Sequence, residues 1–170
     1  MHLTNRETWT VIHGMILGAA FLLAFAGGLA GLYSLRPALI TPEGIRERAR
    51  RLIVGTWAMA AIAWATVITG TWIVYPWYRS QAADSPRSIL LANPDTARWH
   101  TFGMEWKEHI AWIAPILATC VAFVVSYYGA RLIRHQAVRR ALMVMFVGAF
   151  AAAGVAGLFG AFINKVAPIR

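Results

Sequence analysis

The sequence predicts an all-α fold, a four-transmembrane-helix bundle made of two αα-hairpins, and three observations carry that prediction. Only 14% of the 170 residues are charged while 59% are hydrophobic, and the mean hydropathy is +0.55; about a quarter of an ordinary soluble domain is charged. Every charged residue falls outside four apolar runs, roughly residues 8–33, 52–75, 109–128 and 141–164. Each run reaches the ~20 residues that a helix needs to cross a hydrocarbon core about 30 Å thick. None alternates with a period of two, so each must satisfy its backbone internally, as a helix does. The natural count is one integral membrane domain, residues 1–170.

The formal net charge of +9 could suit nucleic acid, but its placement points to a membrane. Segment 34–51 sets Arg36, Arg46, Arg48, Arg50 and Arg51 against Glu43 and Glu47, and segment 129–140 carries Arg131, Arg134, Arg139 and Arg140 with no acid. Loop 76–108 is balanced: Arg79, Arg87, Arg98 and Lys107 face Asp84, Asp95, Glu105 and Glu108. By the positive-inside rule the two arginine-rich loops are cytoplasmic, and both termini and loop 76–108 are periplasmic. That orientation makes the chain a multi-pass protein of a bacterial inner membrane.

The elements follow in order. Thr4-Asn5-Arg6-Glu7 has capping-box spacing, so the first helix is expected to begin near Asn5. The stretch is read as a retained helix and not a signal peptide, because its apolar run is too long for an h-region. Gly14, Gly18, Ala24, Gly27, Gly28 and Gly31 let another helix come close, and Arg36-Pro37 ends the helix. Thr41-Pro42-Glu43 reads as an N-cap, a first-turn proline and an acid, so the second helix starts ahead of the membrane. It leaves through Trp72, Tyr75, Pro76, Trp77 and Tyr78, an interfacial aromatic belt. In loop 76–108 the patch Ile89-Leu90-Leu91 is expected to lie back on the bundle or the bilayer. The third helix should kink at Pro115. The fourth follows Arg139-Arg140 and is rich in small residues from Gly148 to Gly160. Trp57 and Trp64 sit deep enough to pack, and the lone Cys120 reads as a small packing residue. His135, among the arginines, reads as solvated.

The halves also overlay: His13 leads to Arg50-Arg51 and Thr69-Gly70, and His109 leads to Arg139-Arg140 and Phe159-Gly160. This is the pattern of parallel repeats about an axis along the membrane normal, which would set His13 and His109 at one depth across that axis.

A titratable group inside a span is a functional candidate, because its burial in lipid is costly. His13 and His109 are the two imidazoles in or at the rim of the spans. Two imidazoles at equal depth suit axial ligation of one haem iron in a bundle interior. Arg79, Arg98 and Lys107 would then pair with the propionates, Phe102, Trp106 and Trp112 would pack on the ring, and the small residues of helices one and four would make room. Other readings stay open. Interfacial histidines also act as polar anchors. His100 and Glu105, near the same end, suit another metal, and a single histidine suits a chlorin magnesium. Glu105, Lys107 and Glu108 read first as groups of the first turn of helix three. No C-x-x-C-H attachment motif, phosphate loop or nucleophile elbow is present.

Four spans, a histidine pair at one rim and no covalent attachment motif resemble the small membrane-bound b-type cytochromes that serve as subunits of respiratory or photosynthetic complexes. The resemblance covers topology and the two histidines; di-haem bundles carry two histidines about four turns apart on one helix, and this chain does not. It implies at most one haem b, near the periplasmic face, with His13 and His109 as ligands. The expected function is therefore a non-enzymatic electron-transfer subunit of a larger complex, meeting a quinol or a redox partner at the periplasmic side. The alternative is a cofactor-free structural or assembly subunit whose partners are other membrane subunits.

Overall fold

The structure is a computed structural model and describes residues 2–169. Four helices are long and apolar enough to cross a membrane: α1 Asn5–Ser34, α2 Pro42–Tyr78, α4 Pro94–Arg134 and α5 Gln136–Val166, with the short helix α3 Pro86–Ala92 between α2 and α4. No strand is present among the described residues. The chain is a multi-pass membrane protein in which α1 packs on α2, α2 on α4, α4 on α5, and α5 back on α1.

The helix starts form where cap chemistry places them. The Thr4 hydroxyl accepts from the Glu7 amide at 3.2 Å and the Glu7 carboxylate accepts from the Thr4 amide at 2.7 Å, so two orphan donors are satisfied reciprocally. Thr41 caps α2 by accepting from the Gly44 amide at 3.3 Å, with Pro42 at the first helical position. The α-helical ladder of α1 stops at Ser34, ahead of Arg36-Pro37.

Three expectations need correction. Residues 94–108 are not loop. Asn93 accepts from the Asp95 amide at 2.9 Å and Pro94 fills the first position, so α4 starts at Pro94 and not at His109. Glu105, Lys107 and Glu108 therefore sit well inside α4, beyond the reach of its N-terminal dipole. Cys120 is exposed and does not pack in the core. Trp57 is 44% exposed; its indole N–H reaches Ser126 Oγ at 2.9 Å, as that of Trp64 reaches Thr119 Oγ1 at 2.9 Å, so both tie α2 to α4 from the side.

The regular ladder is interrupted where proline removes an N–H. Around Pro115 the Ala111 carbonyl takes the Ala114 amide at 3.1 Å instead, in a turn over Ile110–Trp112. Ahead of Pro76, α2 widens into a π-helical stretch, Gly70–Val74. Two more π-helical stretches, Ile12–Gly18 in α1 and Trp99–Met104 in α4, lie at the same end of the bundle. Such bulges recur at functional sites.

The core runs from Phe21 through Met59, Val121 and Phe146 to Leu32, Leu35, Leu132 and Leu142 at the arginine-rich end. Beside Gly28 the space is filled by side chains. A Cβ on Gly28 would stand 2.7 Å from the Phe146 ring, and Phe25 stacks on Phe146 and Phe150 at 5.2 and 4.1 Å. At the opposite end Leu90 of α3 is fully buried with Tyr78, Met104, Ile163 and Ala167, so the apolar patch of segment 76–108 folds back on the bundle through that side chain.

Candidate functional site

The end of the bundle that holds His13 gathers polar side chains from α1, α2 and α4 and a main-chain carbonyl from α5. His13, in the π-helical stretch of α1, is half-buried against α2. Its Nδ1 lies 2.9 Å from the Thr66 carbonyl and 3.4 Å from Thr69 Oγ1. A carbonyl only accepts, so Nδ1 carries the proton and the neutral ring keeps Nε2 bare. The ring lies on Gly70: a Cβ there would stand 2.6 Å from Cε1, so only glycine permits this approach.

Across the bundle, α4 turns Lys107 inward. Its Nζ donates to the Ala156 carbonyl at 3.2 Å, and a Cβ on Gly160 would come within 2.8 Å of it. The ammonium is close enough to His13 to act on it electrostatically, and no carboxylate lies within ion-pair distance of it among the described residues. One of its three protons is used.

Glu108, the next residue, faces α2. Its side chain is 18% exposed, and Oε2 lies 3.7 Å from an Arg79 nitrogen while Arg79 also donates to the Tyr75 hydroxyl. Glu108 Oε1 is buried with no hydrogen-bond partner. One turn along α2, the Tyr78 hydroxyl and His100 Nδ1 form a buried hydrogen bond of 2.8 Å, which ties the π-helical part of α4 to α2.

His109 stands elsewhere. Its side chain is 68% exposed, and its Nδ1 is held by the Glu105 carbonyl of its own helix at 3.0 Å, with Glu105 Oε2 at 3.5 Å. The reason is helical geometry. Residues two apart differ by about 200° around an α-helix, so α4 cannot turn both Lys107 and His109 into the bundle. The structure therefore gives His13 and His109 separate neighbours, and at this position the two halves are not equivalent. Both rings nevertheless have Nδ1 occupied by a main-chain carbonyl, which leaves Nε2 as the ligating atom.

The remaining sequence candidates are scattered around this end. Arg98 is exposed and lines a shallow surface hollow with Asp95, Trp99 and Phe102. Trp106 packs edge-on against Phe159 at 6.2 Å, its indole N–H buried without a partner. Trp112 meets Trp64 and Trp72 edge-on at 6.1 and 6.2 Å. His100 and Glu105 lie apart, one buried on Tyr78 and the other beside His109. No group of three or more His, Cys, Asp or Glu residues is placed to hold a metal among the described residues.

The sequence reading assigned Tyr75 and Tyr78 to the aromatic belt, used Thr69-Gly70 only as a landmark of the repeat, and did not single out Thr66. The signal was the spacing of Tyr75, Tyr78 and Arg79, three and four residues apart, which puts them on one face of α2. No protein-family model matches the chain, and neither a curated protein nor a solved structure matches it.

Proposed function

We propose that the chain is a subunit of a larger electron-transfer complex in a bacterial inner membrane, and that its polar end receives a quinol headgroup. The arginine-rich end faces the cytoplasm, and both termini and the His13 end face the periplasm, as the charge asymmetry of the connecting segments supports. The observation that carries the reading is Lys107. An ammonium turned into an apolar bundle without a counter-charge is costly. Here it stands beside an imidazole whose Nε2 is bare. One quinol oxygen accepts from Lys107 Nζ and the other hydroxyl donates to His13 Nε2, so the two residues offer a donor and an acceptor to the two oxygens of such a headgroup. The bilayer supplies a ligand of this class directly to an apolar bundle. Electrons leave the quinol for an acceptor in a partner subunit.

The test is a fluorescence titration of the purified, detergent-solubilised protein with a short-chain ubiquinol held reduced by excess dithionite, read from tryptophan emission. Wild type binds saturably; Lys107→Met weakens binding about tenfold or more, the loss of a charge-assisted hydrogen bond, and His13→Ala weakens it about threefold or more, the loss of a neutral one. Circular dichroism confirms that both variants stay helical. Wild-type protein that does not saturate, or variants that bind as wild type does, overturn the reading.

A second reading keeps a b-type haem, and one observation favours it: His13 and His109 both hold Nδ1 on a main-chain carbonyl and keep Nε2 for a metal. Within one chain the two rings do not turn toward one iron, because Lys107 takes the inward face of α4 and the His109 side chain is 68% exposed on another. A reduced-minus-oxidised spectrum of protein purified from its native membrane separates the readings: a sharp haem band abolished by His109→Ala supports the haem, and a colourless, quinone-binding protein supports the site at Lys107. A colourless protein that binds no quinone leaves the cofactor-free assembly subunit.

A further inference from the structure

The arginine-rich end holds a cationic arrangement that quinol binding does not use. Arg139, in the first turn of α5, is only 4% exposed. One of its terminal nitrogens donates to the Ile133 carbonyl at 3.4 Å, and its Nε is buried without a partner. The charged groups within range of its guanidinium are Arg36 and Arg140, both positive. Arg36, just past the end of α1, stacks on Tyr33 with its guanidinium carbon 3.7 Å from the ring centroid, and its Nε is likewise buried without a partner. The carboxylate that does form ion pairs at this end, Glu47, is occupied by Arg50 at 2.9 Å and Arg51 at 2.7 Å, so it does not neutralise Arg36 or Arg139.

The backbone adds to the same sign. The α5 helix, at 31 residues, starts at Gln136 with no side-chain cap on its first amides. Its N-terminus therefore carries unpaired N–H groups and the positive end of the helix dipole. A buried guanidinium in that first turn is the wrong charge for the dipole and for its neighbours. An anion whose oxygens accept from several donors satisfies these groups, and planar guanidinium groups at a helix N-terminus suit a phosphate group.

We infer that Arg36, Arg139 and the N-terminus of α5 form a phosphate-binding site at the arginine-rich end of the bundle. The phosphate can be that of an anionic lipid headgroup or a free phosphate; Arg36 and Arg139 recognise the same oxygens in either case. The site is independent of the quinol reading, since it lies at the other end of every long helix.

Thermal unfolding of the delipidated protein in neutral detergent tests it, with inorganic phosphate in one arm and phosphatidylglycerol in the other; phosphatidylcholine is the zwitterionic control. Wild type is stabilised in at least one arm, and the concentration giving half the shift rises about tenfold in Arg36→Gln and in Arg139→Gln. Stabilisation by phosphatidylglycerol alone identifies the lipid as the source, and stabilisation by inorganic phosphate identifies the free ion. If Arg139→Gln does not fold, Arg36→Gln, at the rim, carries the test. Arg131→Gln is the control for diffuse charge, because that exposed arginine is held by the Tyr127 carbonyl at 2.8 Å. No stabilisation in either arm, variants that respond as wild type, or an equal loss in Arg131→Gln overturns the inference.

Discussion

Gly70→Ala is the smallest change that reports on how His13 is held. The added methyl carbon would stand 2.6 Å from His13 Cε1 and 3.2 and 3.3 Å from its nitrogens. Carbon contacts are comfortable at about 3.5–4.0 Å, so the ring must retreat by about 1 Å. Its 2.9 Å bond to the Thr66 carbonyl does not survive that retreat. The clash alone belongs to the class of overpacking changes that cost about 1–3 kcal/mol. Alanine in place of glycine within a helix returns up to about 1 kcal/mol, so the net loss is about 1–2 kcal/mol, or several degrees of Tm at ~2–4 °C per kcal/mol for a chain of this size. The sharper readout is a double-mutant cycle. In a His13→Ala background the three closest contacts of the new methyl group are gone, and Gly70→Ala should be neutral or stabilising. The two substitutions are therefore coupled by about 1 kcal/mol or more, within the range seen for residues in contact. Thermal unfolding in detergent of the four proteins gives the number. Additive effects would show that the ring does not lie on Gly70, and the placement of His13 against α2 would fall with it.

Two other substitutions probe the same framework. Tyr78→Phe removes the partner of a buried His100 nitrogen and should cost about 1–3 kcal/mol, read as a fall in Tm that His100→Phe in the same background largely restores. Thr4→Ala breaks one half of the capping box at an exposed helix start and should cost about 0.5–2 kcal/mol; its local signature is faster amide exchange at Glu7 and Thr8, with little change elsewhere.

The four spans were legible because hydrocarbon thickness and the exclusion of charge act on every residue of a run alike. The starts of α1 and α2 were legible because Thr4, Glu7, Thr41 and Pro42 do their work within three or four residues of sequence. The start of α4 was not, although Asn93-Pro94-Asp95 carries the same chemistry, because the turns that follow are polar and hydropathy places the boundary at His109. That shift of boundary also misplaced the site. With Lys107 read as a group of the helix's first turn, at the water-facing rim, its direction was left open; inside a helix that begins at Pro94 it faces away from His109, and Lys107 is the one that turns in. Close approach holds at Gly28, Gly31 and Gly148 but not at Gly14 or Gly27, where a Cβ would meet nothing within 4 Å, and sequence does not say what approaches. Phe146 fills the position beside Gly28, a side chain from α5 and not a ligand. The three π-helical stretches were invisible, since a widened turn depends on tertiary contacts and leaves no periodic trace.

The most direct test compares two neighbours on α4. Quinone is extracted and quantified from wild-type, Lys107→Met and His109→Ala protein purified from the same membranes under mild detergent. Quinone retained by wild type and His109→Ala but lost from Lys107→Met is the result predicted for a site on the inward face of the helix. Quinone lost from His109→Ala and kept by Lys107→Met would contradict it.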